Sequence, residues 1–148
     1  MTTTRDPLAL EEQVCFALAV ASRSVIGAYR SALQPLGLTH PQYLVMLALW
    51  QHDRVAVKRL GELLHLEPAT LSPLLKRLEQ AGHLARVRST DDERSLEITL
   101  TPQGRALRED ALAVPTTMLA KFGMSVDDLE RTNGLLHEII AAAEAADA

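Results

Sequence analysis

At 148 residues, 47% hydrophobic but only 3% aromatic, the chain has the length for one domain whose core is built from Leu, Ala, Val and Ile. No apolar run approaches the ~20 residues of a membrane span. The opening MTTTRDPLAL lacks a basic segment followed by an apolar one, and the single cysteine excludes an internal disulfide, so a cytoplasmic protein without membrane contact is expected. The formal net charge of −4 hides a segregation: residues 54–105 carry nine Lys/Arg against seven acids (+2), and the other 96 carry six against twelve (−6). A locally basic module on an acidic frame is compatible with docking on phosphates.

In chain order, residues 8–33 read as one helix. Leu10, Val14, Leu18, Ala21, Val25, Ala28 and Ala32 recur at steps of three and four, and Cys15, Ile26, Tyr29 and Leu33 form a second apolar line beside them. A helix apolar on more than one side packs against more than one thing. Pro35 and Gly37 end it. Thr39 is expected to cap the next helix, with Pro41 in its first turn, where a missing N–H is harmless. VKRLGELLHL (57–66) and EPATLSPLLKRLEQAG (67–82) are two further helices. To keep Pro73 in a first turn, the second is expected to start near Ala69 or Thr70, with Leu71, Leu74, Leu75 and Leu78 inward and Gly82 at its end.

The period then falls from about 3.6 to 2. HLARVR (83–88) and SLEITLT (95–101), joined by the polar STDDER, predict a two-stranded hairpin. Pro102 opens another helix, kinked at Pro115 and broken at Gly123. Ser125 with Asp128 forms a capping-box pattern at the start of the last helix, which runs to the alanine-rich tail.

Helix, turn, helix and hairpin, with basic residues on the second helix and the strands, describe a winged helix-turn-helix: a mainly α fold with a small β-hairpin wing. The second helix would enter a DNA major groove with Thr70, Ser72, Lys76 and Arg77 outward, where hydroxyls and cations reach base edges or phosphates. Arg88 adds a cation on the first wing strand. Arg94 at the hairpin tip suits a narrow minor groove, and Asp92 is positioned to hold its guanidinium.

DDERSLEITLTPQGRAL, together with the helix order, resembles the MarR family of dimeric winged-helix regulators over nearly the whole chain. Their wing carries Asp-x-Arg, a strand and then "LT..G", read here as Asp92-Glu93-Arg94, Leu100-Thr101 and Gly104. The resemblance implies a single MarR-type domain over 1–148, with 8–35 and 102–146 as dimerisation helices and 54–101 as the module that binds a palindromic double-stranded operator.

QVCFALAVASR, THPQYLVMLALW and TLSPLLKRLEQAG are similar to the organic-hydroperoxide-sensing subgroup of that family, the OhrR proteins. By that resemblance Cys15 is the peroxide sensor, and hydroxyls from the partner subunit hydrogen-bond its sulfur. Tyr29 matches one such position. His40 occupies the other, where tyrosine is common, and Ala19 replaces a common aromatic. Helix geometry adds an independent constraint. Fourteen residues at 1.5 Å each separate Cys15 from Tyr29 by about 21 Å. The two therefore meet only between antiparallel copies of the helix crossing near Ser22. If protonated, His40 would favour the thiolate; if neutral, it would donate a hydrogen bond.

The resemblance thus implies a homodimeric repressor released when an organic hydroperoxide oxidises Cys15. With no resolving cysteine, the sulfenic acid must meet a low-molecular-weight thiol, cyclise onto a backbone nitrogen, or oxidise further. Other readings are a repressor that binds a small aromatic ligand with Cys15 inert, a winged helix that contacts only proteins, and a one-cysteine peroxidase. The last lacks a local Arg, His or Thr around VCF, so no enzyme is expected. The five histidines show no ligand spacing, and neither a metal nor a cofactor is expected.

Overall fold

A computed structural model describes residues 5–92 and 94–148; Glu93, the middle of the wing motif, lies outside the described residues. The chain forms two compact units, Met1–Ala111 and Leu112–Ala148.

In the first unit, α1 (Val14–Leu33) leads into α2 (His40–His52), β1 (Arg54–Ala56), α3 (Val57–Leu64), α4 (Pro68–Gln80), β2 (Leu84–Arg88), β3 (Leu96–Leu100) and α5 (Pro102–Ala111). α1 starts later than its periodicity predicts. Leu10–Glu12 form a separate 3-10 turn, and Gln13 is extended, its side-chain amide donating to the carbonyls of Pro7 (2.8 Å) and Ala9 (3.0 Å). Gly37, at φ 69°, turns the chain after α1 in the left-handed region that glycine tolerates best. The Thr39 cap is present and reciprocal. Its Oγ1 accepts from the Gln42 amide (3.4 Å), and Gln42 Oε1 accepts from the Thr39 amide (3.0 Å).

α2 is the centre of this unit. Val45, Met46 and Leu49 are fully buried, and the helix packs on α1, α3, α4, α5 and the sheet. α4 buries Leu71, Leu74, Leu75 and Leu78, the inward face its spacing predicts. Pro73 departs from expectation. The helix begins at Pro68, which puts Pro73 a full turn inside it. Its missing N–H deprives only the Ala69 carbonyl, on an exposed residue, so water replaces the lost bond.

The sheet also differs, having three strands in the order β1-β3-β2, both pairs antiparallel. β3 is central: Ile98 faces both Val55 and Arg86 across the sheet. β1 has only three residues, too few to display a period of two. Its Val55 is buried along with Leu84, Ile98 and Leu100.

The second unit holds α6 (Ala113–Phe122) and α7 (Val126–Ala146). The helix expected to run through Pro115 is interrupted at Leu112, where α5 stops and α6 begins. Pro115 accounts for this, because its ring cannot accept a helical Ala111 carbonyl four residues earlier. Gly123, at φ 63°, ends α6. Ser125 and Asp128 form the expected capping box, each side chain accepting from the other's amide at 3.1 and 3.4 Å. α7 buries none of its residues and leaves Val126, Leu129, Leu135, Ile139 and Ile140 exposed. Among the described residues no helix is long and apolar enough to cross a membrane.

Candidate nucleic-acid interface and thiol site

Two groups of candidate side chains lie on the first unit. The first group is on α4 and the wing. Because the four leucines of α4 point inward, Thr70, Ser72, Lys76 and Arg77 are all exposed. They span about 10 Å of helix, from its first turn to its last. Arg88, at the end of β2 opposite Leu96, is exposed, as is Arg94 at the turn.

The turn is tightly organised. The Ser89 amide donates to the Ser95 carbonyl (2.9 Å), and the Asp91 amide donates to Ser89 Oγ (3.2 Å). Asp92 acts differently from expectation. Its Oδ1 accepts from the Arg94 main-chain amide (3.0 Å) and its Oδ2 from the Ser95 hydroxyl (3.1 Å). The carboxylate therefore fixes the backbone that carries Arg94 instead of clamping the guanidinium. At the wing's root Arg54 of β1 donates to Glu97 of β3. That bond, followed by one from Ser89, holds the Glu97 carboxyl below its usual pKa. Arg54 thus joins strand β1, which the sequence pattern does not reveal, to the hairpin, and Ser89 ties the same carboxylate to the end of β2.

The second group surrounds the thiol and its expected partners. Cys15 is the second residue of α1, exposed and unpaired. Tyr29, two turns before the Pro35 bend, meets His40 edge-on with ring centroids 5.2 Å apart. It also lies 6.0 Å from Tyr43. Burial lowers the His40 pKa and raises those of Tyr29 and Tyr43, with Tyr29 adding to the rise at Tyr43. Within the protomer, burial thus favours the uncharged form of all three rings.

Tyr29 and His40 are thus brought together within one chain, whereas Cys15 is not with them. α1 is unbroken between positions 15 and 29, so the ~21 Å separation holds. Tyr43 had no distinguishing signal; in sequence it is one apolar position among several on α2. Beside His40 a cleft of ≈ 660 Å³ opens between α1 and α2, lined by Ile26, Arg30, Gln34, Leu38, His40 and Pro41. Among the described residues no cluster of three His, Cys, Asp or Glu side chains forms a metal site.

The family model for the transcriptional regulators SarA/Rot matches residues 28–111. The organic hydroperoxide resistance transcriptional regulator of Bacillus subtilis (strain 168) is 42% identical over 91% of this chain and 92% of its own. Among solved structures, reduced AbfR bound to DNA superposes with a TM-score of 0.83 at 32% identity, over 94% of this chain and 95% of that one. Overoxidized AbfR bound to DNA gives 0.68 at 35% identity, over 86% and 94%.

Proposed function

Given that the chain belongs to the MarR family of winged-helix transcriptional regulators, in the group of the organic hydroperoxide resistance regulators, we propose that it is a homodimeric DNA-binding repressor released when an organic hydroperoxide oxidises Cys15. The observation that carries this reading is the division of the thiol site. One chain assembles Tyr29 against His40 but leaves Cys15 exposed about 21 Å away on the same helix. A second copy running antiparallel completes it. The uncovered apolar side chains Val14, Phe16, Val25 and Ile26 on α1, and those of α7, supply the seam. Residues 8–35 and 102–146 are then the dimerisation segments, and 54–101 is the DNA module.

In the reduced dimer, neutral Tyr29 and His40 of the partner subunit donate to the Cys15 sulfur. The thiolate attacks the terminal peroxide oxygen, an S–O bond forms and the O–O bond breaks. The alkoxide takes a proton and leaves as an alcohol, and the cysteine is left as a sulfenic acid. A low-molecular-weight thiol then condenses with it, losing water and forming a mixed disulfide. Because an overoxidized relative has been captured on DNA, we assign release to this bulky adduct over the small sulfinic group. Overpacking of this kind costs on the order of 1–3 kcal/mol or more. Two wings held one helical turn apart do not tolerate the resulting rotation.

On DNA, Thr70, Ser72, Lys76 and Arg77 face the major groove, Arg88 a phosphate, and Arg94 the minor groove, with Asp92 shaping the tip. Arg94→Ala is expected to weaken operator affinity on the order of tenfold and to lower the slope of log affinity against log salt by about one per protomer. Anisotropy titrations at several salt concentrations measure both, and unchanged affinity and slope remove Arg94 from the interface.

The direct test is a gel shift on the DNA upstream of the chain's own coding sequence. The reduced protein retards it, cumene hydroperoxide with a small thiol abolishes the shift, and dithiothreitol restores it. A shift indifferent to peroxide rejects the reading.

A further inference from the structure

Pro73 lies on the face of α4 that the four buried leucines leave outward, where the DNA contacts assigned above make no use of it. Proline is the least favourable residue in a helix interior, and alanine at 73 would restore the bond to the Ala69 carbonyl. Burial of the leucines explains why the helix survives this residue, but not why it is there. Pro73 is exposed, so the core does not need its ring. At about 100° per residue, position 73 points roughly 150° away from the mean direction of Leu71, Leu74, Leu75 and Leu78, and Thr70, Lys76 and Arg77 lie within about 60° of it. A rigid apolar ring therefore sits at the crest of the helix face assigned to the major groove, flanked by a hydroxyl and two cations.

We propose that Pro73 is a specificity-determining residue, its ring packing on the 5-methyl group of one thymine in each operator half-site. The inference rests on the reading of α4 as the major-groove helix. The thymine methyl is the one apolar group that base pairs present in that groove. The pyrrolidine ring has no donor or acceptor to offer a base edge, and it has no rotamer freedom to lose on burial. Cytosine in the same place lacks the methyl and turns an amino group toward the ring, which leaves that donor unpaired away from water. Pro73 thereby distinguishes thymine from cytosine at one position per half-site, while Thr70, Lys76 and Arg77 supply the polar contacts around it.

The test is a set of anisotropy titrations of the full-length reduced protein on DNA from upstream of its own coding sequence. Each thymine in turn is replaced by uracil, which lacks only the 5-methyl group. For the wild type, one replacement per half-site weakens binding about fourfold, the transfer value of one buried methyl, and the two together weaken it about fifteenfold. Pro73→Ala binds the unmodified DNA more weakly by a similar factor and is indifferent to those replacements. Pro73→Val, which keeps apolar bulk, retains part of the preference. Pro73→Ala unfolds at no lower a temperature than the wild type, because the Ala69 carbonyl regains its bond, so its weaker binding is not a loss of folding. Specific wild-type binding that no uracil weakens, or a thymine preference that survives Pro73→Ala intact, overturns the proposal and leaves the operator reading standing. Wild-type binding no tighter than to a shuffled duplex removes the operator reading and the Pro73 contact together.

Discussion

Cys15→Ser protein is expected to bind operator DNA as tightly as the reduced wild type and to keep it when an organic hydroperoxide and a small thiol are added. Serine is close in size to cysteine, and position 15 is exposed within the protomer, so the fold does not depend on the sulfur. The hydroxyl can still accept the hydrogen bonds assigned to Tyr29 and His40 of the partner subunit. What it cannot do is take up an oxygen atom, because only the thiolate offers a nucleophile that peroxides oxidise.

Under the same treatment the wild type is expected to lose more than a hundredfold in affinity, since about 3 kcal/mol of lost contact corresponds to that factor. The contrast between the two proteins is therefore the full dynamic range of the switch. Release of the serine variant by peroxide would mean that the signal enters elsewhere, for example as a small aromatic ligand in the α1–α2 cleft. Stoichiometry gives a second check. A sensor consumes about one peroxide per chain, and a value far above that marks a peroxidase.

The largest stability effect is expected at a residue remote from both candidate sites. Gly104→Ala places a Cβ 2.0 Å from the His83 carbonyl oxygen, 2.9 Å from its carbon and 3.2 Å from Leu100 Cδ2. Neither side can yield easily. The His83 carbonyl accepts from the Thr101 amide (3.1 Å), and the His83 amide donates to Leu78 (3.0 Å). Thr101 Oγ1 donates to the Gly82 carbonyl (2.6 Å) and accepts from the Gly104 amide (3.0 Å). Trp50 Nε1 donates to the Gly104 carbonyl (2.9 Å), tying α2 to the same junction.

Making room for one methyl group means breaking several of these bonds at about 1 kcal/mol each, on top of overpacking strain of about 1–3 kcal/mol. A loss on the order of 4 kcal/mol follows, large by the standards of single substitutions. In thermal unfolding this lowers the midpoint by roughly 10 °C for a chain of this size. A midpoint within a degree or two of the wild type would show that α5 can slide off the start of β2. Because β2 is the first strand of the wing, a folded Gly104→Ala protein is also expected to bind DNA poorly.

This junction marks a boundary in what can be read from a sequence. Gly104 is visible in "LT..G", and the pattern even marks it as belonging to the family, but nothing local says that the backbone of His83 lies against it. Elsewhere, local chemistry suffices. The i, i+3, i+4, i+7 leucines of α4 determine which face is inward, and so leave Thr70, Ser72, Lys76 and Arg77 outward. The change to a period of two locates β2 and β3, and the Ser125–Asp128 spacing locates the start of α7. Each is a contest between neighbouring residues over burial or a free amide, and that contest is settled within one or two turns.

Other features needed the folded chain. Three residues of β1 are too short to show a period and became a strand only because β3 offered an edge to pair with. Pro73 sits inside a helix against its propensity, because burying four leucines outweighs one hydrogen bond that water replaces. Asp92 turned to the main chain of its own turn, where local spacing had pointed to the Arg94 guanidinium. Tyr29, His40 and Tyr43 come together, with Arg30 at the neighbouring cleft, because the bend at Gly37 folds α2 back against α1. The sequence by itself determined which side chains share the apolar face of each helix and strand, since that depends on spacing along a regular backbone. Which distant segments touch was decided only by tertiary packing, because no residue carries a local record of the partner it meets after the chain has turned.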